Sequence, residues 1–143
     1  MPKRSASAVW RGGLRDGNGN VRTESGAVDG QYSFSTRFEN GTGTNPEELL
    51  GAAHAACFSM ALSAGLEKSG FKAQSVETTA RVTFEKVGEG FSVTGIHLET
   101  RVNVPDIDDA AFQEAAEKAK AGCPISKALA SVPITLEASR TEG

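Results

Sequence analysis

The sequence is poor in the groups that most often carry chemistry. Of its 143 residues, two are cysteine and two are histidine. These are too few, and lack the paired spacing, to build a metal centre. Charge of neither sign dominates: 15 Lys and Arg stand against 18 Asp and Glu, a net charge of -3. The basic residues are scattered, so nothing favours nucleic acid or an anionic membrane as a partner. The opening residues MPKRSASAVW carry a small basic start with no apolar run behind it, and no secretory leader is expected. A reducing, cytoplasmic compartment follows, and with it no stable structural disulfide. The two cysteines then read as free thiols or as a redox pair. Repeats, low-complexity tracts and linkers are missing, which leaves one domain over residues 1–143.

One stretch lacks charge altogether. From Leu49 to Leu66 no residue is ionised at neutral pH apart from what His54 can carry. The length invites a membrane span, but the stretch is mostly Ala, Gly and Ser, and a buried helix of a soluble protein is expected. Its start is well marked. Asn45 is placed to cap, Pro46 to open the first turn, and Glu47 and Glu48 to favour the helix dipole. The helix should run to about Lys68, with Gly70 as its stop.

Before it, SASAVW, NVRTES and QYSFSTRF read as strands separated by glycine-rich turns. After it, SVETTARVTFEKV and FSVTGIHLETRVNV read as an antiparallel hairpin turning at Gly88–Gly90. A second helix should begin near Asp108 or Asp109, carry Phe112, Ala115, Ala116 and Ala119 at helical spacing, and end at Gly122. Pro124 opens a short helix, ISKALAS, and ITLEAS is a last strand. The sum is an α+β fold of about six largely antiparallel strands and two main helices. The first long helix is apolar all round, and one small sheet covers one face of it. Its small-residue rows, Gly51/Ala55/Ser59 and Ala52/Ala56, suit close approach by a second copy, so a homodimer is expected.

The chemistry centres on the thiols. Cys57 inside the long helix is either a small buried apolar residue or a nucleophile, and the second role needs a cation to hold the thiolate. Arg37, at the end of the YSFSTRF strand, is either an exposed strand-end arginine or that cation. Glu47 is either a first-turn acid or the carboxylate that grips Arg37 in a two-pronged pair. Cys123, directly before Pro124, is either a cap-like small residue or a thiol whose pKa falls near unsatisfied backbone N–H groups. His54, three residues before Cys57, allows a Cys–His acyl-transfer dyad, but reads as a packed core histidine. A metal site shared by His54 and His97 has no third ligand, and His97 reads as exposed or packed across strands.

The segments GTNPEELLGAAHAACFSMAL and KAKAGCPIS, with the TESG turn, the FSTRFE segment and VPDID, resemble the osmotically inducible protein C / organic hydroperoxide resistance family over essentially the whole chain. The position of the arginine just ahead of the NPEE helix is similar to the osmotically inducible protein C branch. That resemblance implies antiparallel sheets wrapped around two central helices in an intertwined homodimer. It also implies a thiol peroxidase that reduces organic hydroperoxides to alcohols, with Cys57 peroxidatic, Cys123 resolving, Arg37 activating the thiolate and Glu47 holding Arg37. A Cys57–Cys123 disulfide would be reduced by an external dithiol, a lipoyl group being the first to test. No metal, haem or flavin is needed, because sulfur carries the electrons. Phe38, Phe58 and Phe71 suggest an apolar approach for the substrate. The competing reading is a non-enzymatic dimeric stress or binding protein whose cysteines are merely buried.

Overall fold

A computed structural model describes residues 2–142. The chain divides into two compact units, one up to Leu49 and one from Leu50 onward.

The first unit is a three-stranded antiparallel sheet in the order β1 (Ala6–Arg11), β2 (Asn18–Thr23), β3 (Asp29–Tyr32). The chain then enters a short helix, α1 (Phe34–Phe38), where a continued strand was expected. The cause is local. Ser33 accepts a hydrogen bond from the Thr36 N–H, while the Thr36 hydroxyl accepts one from the Ser33 N–H. This reciprocal cap satisfies two helix-start donors and outweighs the strand preference of Tyr, Phe and Thr. Arg37 therefore sits on the last turn of a helix.

The long helix, α2 (Pro46–Lys68), begins as expected. Asn45 Oδ1 accepts from the Glu48 N–H at 2.8 Å, and its amide donates to the Thr36 carbonyl at 3.0 Å. Gly70, at φ 91°, takes the chain out of the helix in a conformation that suits glycine.

The second unit contains most of α2, the strands β4 (Ser75–Val87), β5 (Gly90–Asn103) and β6 (Ile134–Thr141), and the helices α3 (Asp109–Gly122) and α4 (Pro124–Ala128). β4 and β5 form the expected hairpin, with Gly88 at φ 63° in its turn. β6, however, pairs with β5 in parallel. The second sheet is therefore mixed: the strands are largely antiparallel, as expected, but the antiparallel sheets that the resemblance implied are corrected at β6. A parallel pair needs a crossover longer than a turn, and here α3 and α4 supply it. Alternation along β5 turns Ile96, Leu98, Thr100 and Val102 inward. They meet Phe58, Leu62 and Leu66 of α2 and Phe112, Ala116 and Ala119 of α3 in one apolar core that also holds Cys123.

The buried stripe of α2 is Gly51, His54, Phe58, Leu62 and Leu66, at spacings of three and four. Gly51 lies where a Cβ would meet Val82 and the Ala80 carbonyl. Ser59 donates to Thr78 Oγ1 at 2.7 Å, which is 3.0 Å from Thr100 Oγ1. Gly51 and Ser59 of the small-residue row thus face strand β4 of the same chain. The other side, with Ala52, Ala56 and Met60, is exposed, Met60 at 75%. By length and composition α2 could cross a membrane, yet its Phe58–Leu62–Leu66 stripe is committed to the core.

Candidate active site

In the first unit, α1 and the start of α2 bring one arginine and one carboxylate together. Arg37 Nε donates to Glu47 Oε1 at 3.0 Å and Nη2 donates to Oε2 at 2.9 Å. Two parallel charge-assisted bonds fix the guanidinium plane as well as its position. Glu47 is the more buried partner. Beside them lies a cavity of about 220 Å³ lined by Trp10, Leu14, Tyr32, Phe34, Arg37 and Phe38. One wall is therefore a cation and most of the rest is aromatic. The Arg37 guanidinium also lies 5.7 Å from the centre of the Phe38 ring.

In the second unit, the two cysteines meet. Cys57 and Cys123, 66 residues apart, have sulfurs separated by 2.8 Å. Both are free thiols, since a covalent bond would need about 2.05 Å. Cys57 is half-buried on α2, whereas Cys123 has no exposed surface. Cys123 is the elbow between two helices, the C-cap of α3 and the residue before Pro124 at the start of α4. That elbow turns its sulfur from the end of α3 onto α2.

Burial pushes the Cys57 thiol up, and the hydrogen bond and negative charge of Cys123 push the same way, against a backbone N–H from Ile125. Cys123 is also penalised by burial. Its hydrogen bonds to Cys57, to the backbone N–H and hydroxyl of Ser126 and to the Ile125 N–H outweigh that penalty and leave its pKa lowered.

The histidines have separate settings. His54 is fully buried, and its Nε2 lies 2.8 Å from Ser126 Oγ. Desolvation lowers its pKa and keeps the ring neutral. His97 turns away from the core on β5, bonds Thr135 through Nδ1 at 2.7 Å and faces Glu137 at 3.9 Å. With Glu99 and Glu137 it forms a partly exposed cluster whose spacing would suit a cation, but Glu99 is already paired with Arg81. No site shared by His54 and His97 exists on these positions. Phe58 is in the core with no exposure and cannot line an entry path, whereas Phe38 borders the cavity beside Arg37. Ser126 was missed in the sequence. The signal was there, since a residue three after a helix-start cysteine returns to the same side of the helix.

The chain is similar to proteins of a known family. The family model for OsmC-like proteins matches residues 39–137. The chain is 52% identical over 135 residues to Peroxiredoxin OsmC of Escherichia coli strain K12, covering 94% of each chain. It is 32% identical over 126 residues to the Organic hydroperoxide resistance protein OhrB of Bacillus subtilis strain 168, covering 87% of this chain and 88% of the relative. The crystal structure of OhrB of Bacillus subtilis superposes with a TM-score of 0.71 at 30% identity, over 94% of this chain and 98% of that one.

Proposed function

The chain belongs to the family of OsmC-like proteins, and within it we propose a cysteine-based peroxidase that reduces organic hydroperoxides to alcohols. The Cys57 thiolate attacks the distal oxygen of ROOH, forming a sulfenic acid and releasing RO⁻, which is protonated to ROH. Arg37, held by Glu47, favours the ionised Cys57 and the charge that develops on the departing oxygen. Cys123 then condenses with the sulfenic acid, giving a disulfide and water. A dithiol, with a lipoyl group as the first choice, returns both thiols by exchange.

The observation that carries this reading is the 2.8 Å between two free sulfurs that sit 66 residues apart. A cysteine serving only as a small apolar residue has no need of a second sulfur at that distance. The aromatic cavity beside the Arg37–Glu47 pair supports an organic rather than a purely aqueous peroxide. The apolar, exposed side of α2 around Ala52, Ala56 and Met60 supports a homodimer, since one chain leaves that surface uncovered. We read the whole chain as one functional domain, soluble and cytoplasmic, acting in defence against oxidative stress.

The test is a thiol count on the reduced protein before and after one equivalent of cumene hydroperoxide. Two thiols per chain should disappear, and mass spectrometry of a peptide digest should find Cys57 joined to Cys123. Both thiols surviving would leave the alternative, a dimeric binding protein with buried cysteines.

A further inference from the structure

His54 has no exposed surface, and the chemistry proposed above does not use it. It sits three residues before Cys57 on α2, nearly one turn away on the same side of the helix. Ser126 sits three residues after Cys123 and returns to the same side of α4. Two contacts, about one turn apart, therefore join the same two elements. Cys57 meets Cys123 with 2.8 Å between the sulfurs, and His54 Nε2 lies 2.8 Å from Ser126 Oγ. Along residues 123–129 the buried positions are Cys123 and Ser126, so both inward side chains of the elbow end on α2. The helix they belong to has five residues and no side-chain bond capping its start. So short a helix is not stable by itself and depends on what it packs against. An apolar contact tolerates sliding, whereas a buried hydrogen bond fixes distance and direction. His54 also leaves Nδ1 buried without a hydrogen-bond partner. A leucine in its place would carry no such cost, so packing alone does not account for the ring.

We infer that His54 and Ser126 are positioning residues for the disulfide: their hydrogen bond clamps α4 onto α2 about one turn from the sulfurs and keeps Cys123 within reach of Cys57. The use of this clamp in turnover rests on the peroxidase reading; the holding together of the two thiols does not. In the step it serves, the Cys123 thiolate attacks the sulfur of Cys57 sulfenic acid. The S–S bond forms as the S–O bond breaks, and the electron pair leaves with oxygen as hydroxide. Hydroxide takes up the proton that Cys123 had lost, giving water. His54 and Ser126 keep their covalent state throughout. A thiol fixed beside its target reacts at an effective concentration far above that of a thiol on a loose segment. Without the clamp, the elbow would spread Cys123 over more positions, fewer of them in reach of Cys57, and the dithiol would gain on the disulfide.

Equilibration of the full-length chain with graded mixtures of reduced and oxidised dithiothreitol tests this without peroxide. Protein dithiol and oxidised dithiothreitol exchange to protein disulfide and reduced dithiothreitol, and alkylation followed by mass spectrometry counts both protein forms. Ser126→Ala and His54→Leu should each lower the disulfide-to-dithiol ratio about fivefold, the scale of one buried hydrogen bond. In midpoint potential that is a rise of about 20 mV. The double variant should lose no more than either alone, because the same bond is removed in all three. His54→Gln, whose amide reaches the place of Nε2, should keep the ratio of the unaltered chain. A bond that served the fold alone would lower the melting temperature of the oxidised and reduced chains alike and leave the ratio unmoved; that result would overturn the proposal. So would a double variant in which the two losses multiply. Should His54→Leu fail to fold, the ratio in Ser126→Ala still decides. Failure of the peroxidase reading would appear in the thiol count with cumene hydroperoxide and leave this ratio untouched.

Discussion

Cys57→Ser should abolish peroxide consumption rather than slow it. A serine hydroxyl is hardly ionised at neutral pH and cannot pass through a sulfenic acid, so the oxygen-accepting step is removed from the reaction. Cys123→Ser gives a different signature. One equivalent of peroxide should still be consumed, but the oxidised Cys57 would have no partner sulfur at 2.8 Å. Excess peroxide should then carry it to the sulfinic acid, a mass increase on the Cys57 peptide that the unaltered chain does not show. Sustained turnover in Cys57→Ser would remove Cys57 from the mechanism.

Arg37→Ala should lower the rate of the first oxidation by about a hundredfold or more, the scale expected when a fixed electrostatic partner of the reacting charge is removed. The argument begins with the thiols. Burial raises the Cys57 pKa, while donors at Ser126 and Ile125 lower that of Cys123. On the proposed mechanism Cys57 attacks as the thiolate, and a cation is what would offset the effect of its burial. The linkage has a definite sign. Loss of the cation raises the Cys57 pKa, so the variant should be slowest at low pH and regain rate as the pH climbs. Arg37→Lys should fall between the two, since an ammonium keeps the charge but not the two-pronged hold on Glu47. Stopped-flow consumption of cumene hydroperoxide across a pH series measures both. A pH–rate profile unchanged in Arg37→Ala would take Arg37 out of the role.

Much of this arrangement was legible because its signals are local. Asn45, Pro46 and two glutamates mark the start of α2, and Gly70 its end. Gly88 marks the β4–β5 turn. The pairing of Arg37 with Glu47 was within reach because only ten residues separate them. The misreadings have physical causes. The segment that became α1 is composed of residues that favour strands, and one reciprocal Ser33–Thr36 cap decided otherwise. The parallel placement of β6 depends on how α3 and α4 pack, which no local pattern records. Phe58 and the Gly51/Ala55/Ser59 row lie on an all-apolar helix, where sequence cannot tell which side meets the sheet. The contact between His54 and Ser126 spans 72 residues and has no local trace.

The distance in sequence between the two sulfurs has a thermodynamic consequence. A bond between Cys57 and Cys123 ties off a loop of 66 residues, which by loop-closure entropy withdraws about 4 kcal/mol of freedom from the denatured chain. The oxidised form should therefore melt above the reduced form in calorimetry. Each catalytic cycle would then alternate between a tethered, heat-resistant state and a looser one, and the reductant that completes the cycle would meet the protein at its most robust.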